Sequence, residues 1–305
     1  MPRVVTRHSI KAALVASVAV FLAALPARAD EGARTAPPGI ASFRLGALEL
    51  TALRDGGYVS PNDGGDFGHD AGREAVAKLL AGAGAPTNQV TLSVAALLIR
   101  APGRVILIDT GMGPDVPGGT MASLELAGVT PDQVTDVLIT HAHFDHVGGL
   151  IDAAGRSAFP KATIWLNARE WAAMLAAPGP HRITPAIAAQ VRTFEPGREI
   201  LPGITPIALY GHTSGHVGYE IVSQGQRIED IGDTAHSAIV ELAEPGWRGG
   251  IDEDPAAGAA TRVAELKRLA AAHALIFAPH FPFPGVGWLV PKGDGYAWKP
   301  DPGVR

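Results

Sequence analysis

Beyond residue 40, short apolar runs alternate with stretches rich in Gly, Pro and Asp, and each run has the length of a strand or a short helix. Phe43-Arg44-Leu45 and Leu48-Glu49-Leu50-Thr51-Ala52-Leu53 alternate, or nearly so, about Gly46, which predicts a β-hairpin. Residues 58–72, full of Gly and Asp, read as a surface loop, and residues 74–81 carry a short helical pattern. Two β segments follow at 90–100 and 105–108, joined at Pro102-Gly103. Residues 121–127 look helical. Thr130-Pro131-Asp132-Gln133 combines a hydroxyl cap, a first-turn proline and the matching Gln, so a short helix is expected to start there. Strands at 137–140 and 162–166 precede a helix at 168–176. In the second half, 204–209, 218–222 and 226–231 read as strands, 256–272 as the longest helix and 274–278 as the last strand. Strands with helices recurring between them in both halves predict sheets with helices packed outside.

The first residues follow a different pattern. Arg3, Arg7 and Lys11 precede an unbroken small and apolar run at 12–25, then Pro26 and the small-x-small tripeptide Ala27-Arg28-Ala29. This is the layout of a secretory signal peptide cleaved after Ala29. The run is shorter than the ~20 residues a membrane-crossing helix needs. Residues 30–39, with Pro37-Pro38, read as a linker, and 40–305 as one domain without internal repeats. The mature protein is expected to be exported, to the periplasm, and free of the membrane.

Composition narrows the chemistry. The chain has no cysteine, which removes disulfides, thiolate nucleophiles and cysteine-ligated metals together. Any metal must sit on His, Asp and Glu, and there are eleven histidines to consider. The formal charge is −5, and cleavage of the leader would remove four basic residues and no acidic one, leaving −9. Such a surface has no basic stripe for nucleic acid, so no nucleic-acid partner is expected.

The informative segment is Thr140-His141-Ala142-His143-Phe144-Asp145-His146-Val147-Gly148-Gly149, directly after a predicted strand. If the strand geometry continues, His141 and His143 project to one side. Asp145 and His146 then sit on a turn that Gly148-Gly149 lets bend sharply, facing a second point nearby. That spacing favours two adjacent metals over one. His212, in the turn Gly211-His212-Thr213-Ser214-Gly215-His216, is the expected third ligand of the first metal, with His216 read as a supporting or structural residue. Asp233 ends another strand, where its carboxylate could bridge two cations. His280 ends the last strand.

In this order the residues resemble the metallo-β-lactamase superfamily, and Asp109-Thr110-Gly111 after residues 105–108 is similar to that family's first motif. Residues 43–56, 211–233 and 280–287, with Lys292-Gly293-Asp294-Gly295-Tyr296 downstream, look like the methyl parathion hydrolase branch, whose relatives include lactonases. The resemblance implies an α+β, four-layer αββα sandwich with a dinuclear site at one edge of the sheets. It also implies His141, His143 and His212 on the first metal, Asp145, His146 and His280 on the second, Asp233 as bridge and Asp109 in support. Relatives of this kind form dimers, so a homodimer is an expectation.

Two divalent cations sharing a water lower its pKa and present hydroxide to a carbonyl or phosphorus, while polarising the oxygen that gains charge. The expected activity is therefore metal-dependent hydrolysis of a small lactone, aryl ester or phosphotriester, with Asp145 and Asp233 as the catalytic carboxylates. Zinc is the default cation, and manganese, cobalt or iron suit the same donors. Phe144, Trp171, Phe281 and Phe283 are the candidate pocket residues, with Trp288 also near the ligands in sequence. The alternative from another class is a non-hydrolytic metal protein on the same fold, either iron-dependent oxygen chemistry or a binding protein.

Overall fold

Six consecutive residues near the middle of the first half, from Val94 to Ile99, are all buried, so this strand has no solvent face at all. Its side chains alternate between two different cores. Leu97 and Ile99 point into one, and Ala96 and Leu98 into the other. A strand buried on both faces requires layers on both sides, and the computed structural model, which describes residues 32–116, 118–177 and 182–305, has them.

The first sheet comprises β1 (Ala33–Thr35), β2 (Ile40–Leu45), β3 (Leu48–Pro61), β4 (Gln89–Ala101), β5 (Arg104–Ile108), β6 (Asp136–Leu138), β7 (Thr163–Asn167) and β8 (Val191–Phe194). Their order is β1-β3-β4-β5-β6-β7-β8, with β2 paired to β3. The helices of this half are α1 (Arg73–Gly82), α2 (Thr120–Leu126), α3 (Phe144–Val147), α4 (Ala168–Ala176) and α5 (Ile183–Ile187). The second sheet comprises β9 (Ile204–Ala208), β10 (Val217–Ser223), β11 (Gln226–Asp230), β12 (Leu275–Phe277), β13 (Val286–Lys292) and β14 (Gly295–Pro300), in the order β14-β13-β12-β11-β10-β9. Beside it lie α6 (Val240–Ala243) and α7 (Pro255–Ala271).

Leu50, Leu97, Ile99, Ile106 and Leu138 of the first sheet share one core with Val217, Tyr219, Ile221, Ile228 and Phe277 of the second, so the sheets pack face to face. On the outer face of the first sheet, Leu98, Leu107, Val137 and Ile164 meet Leu124, Met174 and Ile187 of the helices. On the outer face of the second, Ile276 and Leu289 meet Leu266 and Leu269 of α7. This is the expected αββα sandwich. Among the described residues no helix is long and apolar enough to cross a membrane, and residues 1–29, read as a leader, lie outside them.

The topology decides where chemistry can sit. β5, β6, β7 and β8 run parallel, as do β11 and β12, so their C-terminal ends lie at a common edge of each sheet. The sheets are tied there: Tyr219 OH donates to Ile139 O at 2.8 Å, and Val217 N donates to Thr140 O at 3.0 Å.

Several expectations change. β3 continues to Pro61, through the start of the predicted loop, because Tyr58 and Ser60 pair with Leu92 and Val90 of β4. Ala33–Thr35, inside the predicted linker, form β1 at the edge of β3; three residues of mixed polarity carry no readable alternation. Thr130 and Gln133 make the capping box as read, but it opens only the 3₁₀ turn Pro131–Gln133.

Candidate metal centre

β6 stops at Leu138, so strand alternation does not align His141 with His143. Instead the chain leaves the sheet, His143 caps α3, and Asp145 and His146 sit within that single helical turn. Gly148 and Gly149 serve close approach rather than a bend. A Cβ on Gly148 would lie 2.2 Å from Met112 O, and one on Gly149 2.1 Å from Thr110 O. The tight seat locks the histidine segment against the Asp109–Gly113 turn, where Asp109 takes a left-handed φ of 59°.

Asp109 organises the segment. Its Oδ1 accepts from Thr140 N, and its Oδ2 accepts from Thr140 Oγ1 and His146 Nδ1, each at 2.8 Å. It therefore supports the site, and His146 Nε2 is left pointing inward, buried and without a hydrogen-bond partner. Other rings are oriented by the same logic. His212 Nδ1 donates to Asp252 Oδ1 at 3.0 Å, and His280 Nδ1 donates to Ser93 O at 2.8 Å. Tying one ring nitrogen to an oxygen fixes which nitrogen faces the centre.

The inward nitrogens converge. His212 Nε2 stands 3.2 Å from His141 Nε2 and 2.8 Å from His143 Nδ1. Asp233 Oδ2 lies 3.5 Å from His141 Nε2, 3.3 Å from His212 Nε2 and 3.1 Å from His280 Nε2, while Oδ1 lies 3.2 Å from His146 Nε2. Donor atoms of His141, His143, His212 and Asp233 fall within 4.8 Å of one another, as do those of Asp145, His146 and His280. The sequence thus named seven residues that the fold brings into two adjoining clusters with Asp233 between them. Asp145 Oδ2 is 3.8 Å from His146 Nε2 and 3.6 Å from His280 Nε2, its side chain 13% exposed at the rim.

The donors fit divalent cations. All are imidazole nitrogens and carboxylate oxygens, and His146 Nε2 and Asp233 Oδ1 are buried with no hydrogen-bond partner. Burial and the neighbouring imidazoles hold His141 and His143 well below the ordinary histidine range, which leaves their lone pairs free. Burial alone would raise Asp233, but His146, His280 and His141 hold it well below the usual carboxylate range. Burial also opposes a charge on His146, and Asp233, Asp145 and Asp109 reverse this, raising it well above normal. A cation and a proton would compete for that ring.

His216 does not join the donors. Its Nδ1 donates to Leu209 O at 2.7 Å and its Nε2 accepts from Asp233 N at 2.9 Å, so it holds the backbone of the bridging residue. Burial pushes it down to about 3, consistent with the neutral, accepting ring. Glu170 joins the two ligand loops by accepting from Ala142 N, Thr213 Oγ1 and Gly215 N.

Three participants escaped the sequence reading. His236 is buried, lies 3.1 Å from Asp233 Oδ2 through Nε2, and stacks on His280 with ring centroids 5.3 Å apart. Its position three residues after Asp233 was the only available signal. Asp252 and Glu170 had none, because each acts through a distant loop.

The pocket reading needs correction. A cavity of about 660 Å³ opens over the donors, walled by Tyr58, Leu92, Phe144 and Ile251. Phe144 also lines an adjoining cleft of about 460 Å³ with Met112, Val147, Met174 and Ile183. Phe281 is fully buried against Trp298 under the second sheet, since the residue after His280 points to the opposite side. Phe283 packs on the inter-sheet core beneath the Arg54 guanidinium, 4.2 Å above its ring. Trp171 packs on the core between the first sheet and its helices. None of these three lines the cavity over the donors. A larger cavity of about 1190 Å³ lies behind the Asp109–Gly113 turn and contains none of the donors.

The profile of the metallo-beta-lactamase superfamily matches residues 90–280. Among solved structures, AidC, a dizinc quorum-quenching lactonase in complex with a product, aligns with a TM-score of 0.81 and 27% identity, covering 87% of this chain and 98% of that one. AbOPH, a hydrolase of the beta lactamase superfamily, aligns with a TM-score of 0.79 and 30% identity over 88% of this chain and 99% of that one. Metallo-beta-lactamase domain-containing protein 1 of Mus musculus is 39% identical over 69 residues, 23% of this chain and 23% of that protein. The chain therefore matches about a quarter of that relative's length.

Proposed function

The chain belongs to the metallo-beta-lactamase superfamily, and from that membership we propose that it is an exported, dinuclear metal-dependent hydrolase of small lactones and esters. The observation that carries the reading is the pair of adjoining donor clusters, one containing Asp233 and the other within 3.2 Å of it through His146 and His280, beneath an apolar-walled cavity. Bound divalent cations supply a water acidified towards neutrality and a Lewis acid for the carbonyl oxygen. The protein's own residues do the rest. Phe144, Leu92 and Ile251 give the acyl part an apolar wall and exclude water from it. Asp145, at the rim, is placed to receive the proton of the attacking water. As the new C–O bond forms and the ring C–O bond breaks, that proton passes to the leaving alkoxide, and the lactone becomes a hydroxy acid.

The likeness to a dizinc lactonase supports the substrate class, and zinc is the cation proposed. Phosphotriesters that release a nitrophenolate are an additional substrate class for the same site. The test is a screen of zinc-loaded enzyme on N-acyl homoserine lactones, aryl esters and an aryl phosphotriester, with metal per chain measured in parallel. Lactone turnover with two cations per chain is expected. One cation per chain, mononuclear iron, or inertness towards lactones and esters overturns the reading. Export is tested by the mature N-terminus, expected at Asp30 in the periplasmic fraction; an intact Met1 there would refute cleavage.

A further inference from the structure

Among the described residues, the largest fully buried side chain belongs to an arginine. Arg262, on α7, is 1% exposed. Placing a guanidinium there is costly unless its donors and its charge are both matched. Backbone carbonyls take part of the fork: Nε donates to Pro245 O at 3.0 Å, and Nη2 donates to Trp247 O at 2.8 Å. The charge is met by two carboxylates, one on α6 and one on the loop before α7. Arg262 Nη1 lies 2.8 Å from Glu241 Oε1 and 3.5 Å from Asp252 Oδ2.

Each carboxylate then faces a histidine of the metal centre. Asp252 Oδ1 accepts from His212 Nδ1 at 3.0 Å, and Glu241 Oε1 lies 3.5 Å from His236 Nδ1. The second oxygen of Glu241 is engaged by His236 N and Ser237 N, which anchors the backbone of the same histidine. His212 and His236 in turn approach Asp233 Oδ2 at 3.3 and 3.1 Å. The helix is shaped for this contact. A Cβ on Gly258, one turn before Arg262, would lie 2.5 Å from Asp252 Oδ2. Thr261 Oγ1 donates to Tyr210 O, and Glu253 N to His212 O, so the start of α7 also grips the loop that carries His212.

We propose that Arg262 is a positioning residue of the metal centre, holding Asp252 against His212 and Glu241 against His236, so that one guanidinium orients imidazoles around Asp233. The proposal rests on the metal-centre reading and is independent of which ester is cleaved.

The test reads cation binding, not turnover. Zinc stoichiometry and chelator-competition affinities of the purified enzyme are compared with those of R262M, R262K, D252N and E241Q, together with the visible spectrum of each cobalt-loaded form. D252N should weaken one cation by about 10- to 100-fold, the usual cost of losing a ligand's outer partner, and leave the other within about threefold. E241Q should weaken the other cation by a smaller factor. R262M should weaken both and alter the cobalt spectrum, with part of the loss recovered in R262K. R262M with native circular dichroism and both affinities within about threefold of wild type overturns the proposal. If R262M does not fold, unchanged affinities in both D252N and E241Q overturn it equally. A wild type that binds fewer than two cations overturns the metal centre and the proposal with it, whereas two cations without lactone turnover would remove only the substrate assignment.

Discussion

The two halves of the molecule build their shares of the metal centre in opposite ways. The first half delivers His141, His143, Asp145 and His146 within six residues, on one loop and one helical turn. The second half delivers His212, Asp233 and His280 one at a time, from the ends of β9, β11 and β12. A contiguous segment can share its anchors, here Asp109 beneath it with Glu170 holding Ala142 N. Donors spread over some seventy residues each need their own support: Asp252 for His212, His216 for Asp233 and Ser93 for His280. The contrast separates a half-site whose donors share their supports from one in which each donor depends on its own.

The sharpest way to break this contrast is at the point where the halves meet. D233A should lower kcat/KM by more than about 100-fold and weaken both cations, beyond what loss of an outer partner causes. H216A should be milder, since only the backbone support of Asp233 is lost; equal and complete loss in both would show that the donor in the Gly211–His216 turn is misassigned. D109N, which disturbs the carboxylate beneath the first half's segment, should weaken the cation at Asp145, His146 and His280 by about 10- to 100-fold. Preserved affinity in D109N would mean that the contiguous segment holds itself. E170Q removes one of the two accepting oxygens that tie the loops while touching no donor. It should cost about 1 to 3 kcal/mol of stability, measured by denaturant unfolding, because buried donors lose their carboxylate.

The smallest effect lies away from the centre, at Glu229, Glu265 and Arg268. Burial, reinforced by Glu265, pushes Glu229 up to about 8. A carboxyl raised on folding stabilises the fold below its ordinary range, near 4.5, and that contribution is lost as pH rises through about 8. E229Q should therefore raise stability at pH 9 by about 1 to 2 kcal/mol, the half-exposed Arg268 limiting the gain. It should have little effect near pH 4.5, and unchanged cation binding at both pH values would confirm that the pH response is separate from the metal centre.

Legibility followed the same division. The hairpin at Gly46, the 168–176 helix and the strands flanking the histidine segment were readable because each pairs a regular apolar pattern with a local stop signal. β8, β13 and β14 were not: β8 has four residues, β14 is an edge strand of mixed polarity with Tyr296, Trp298 and Lys299, and β13, though paired on both sides, is interrupted by Gly287 and Pro291. In the site, residue types and strand ends picked out seven side chains that the fold gathers into adjoining clusters. Of the four pocket aromatics only Phe144 lines the cavity, because proximity in sequence to a ligand says nothing about the side to which the next residue points. Phe281 follows His280 yet belongs to the core under α7.

What the sequence by itself determined is the chemistry available: no thiolate, a dense His and Asp set, and an order of those residues along the chain that matches a metal-binding cluster. Only the tertiary structure decided which nitrogen of each ring faces inward, that His236 joins the cluster, and that Arg262 stands behind it. Those outcomes depend on hydrogen bonds between segments far apart in sequence, such as His212 with Asp252 and His280 with Ser93. Such partners have no local signature, because an oxygen that orients an imidazole needs only to arrive at the right distance, whatever part of the chain carries it.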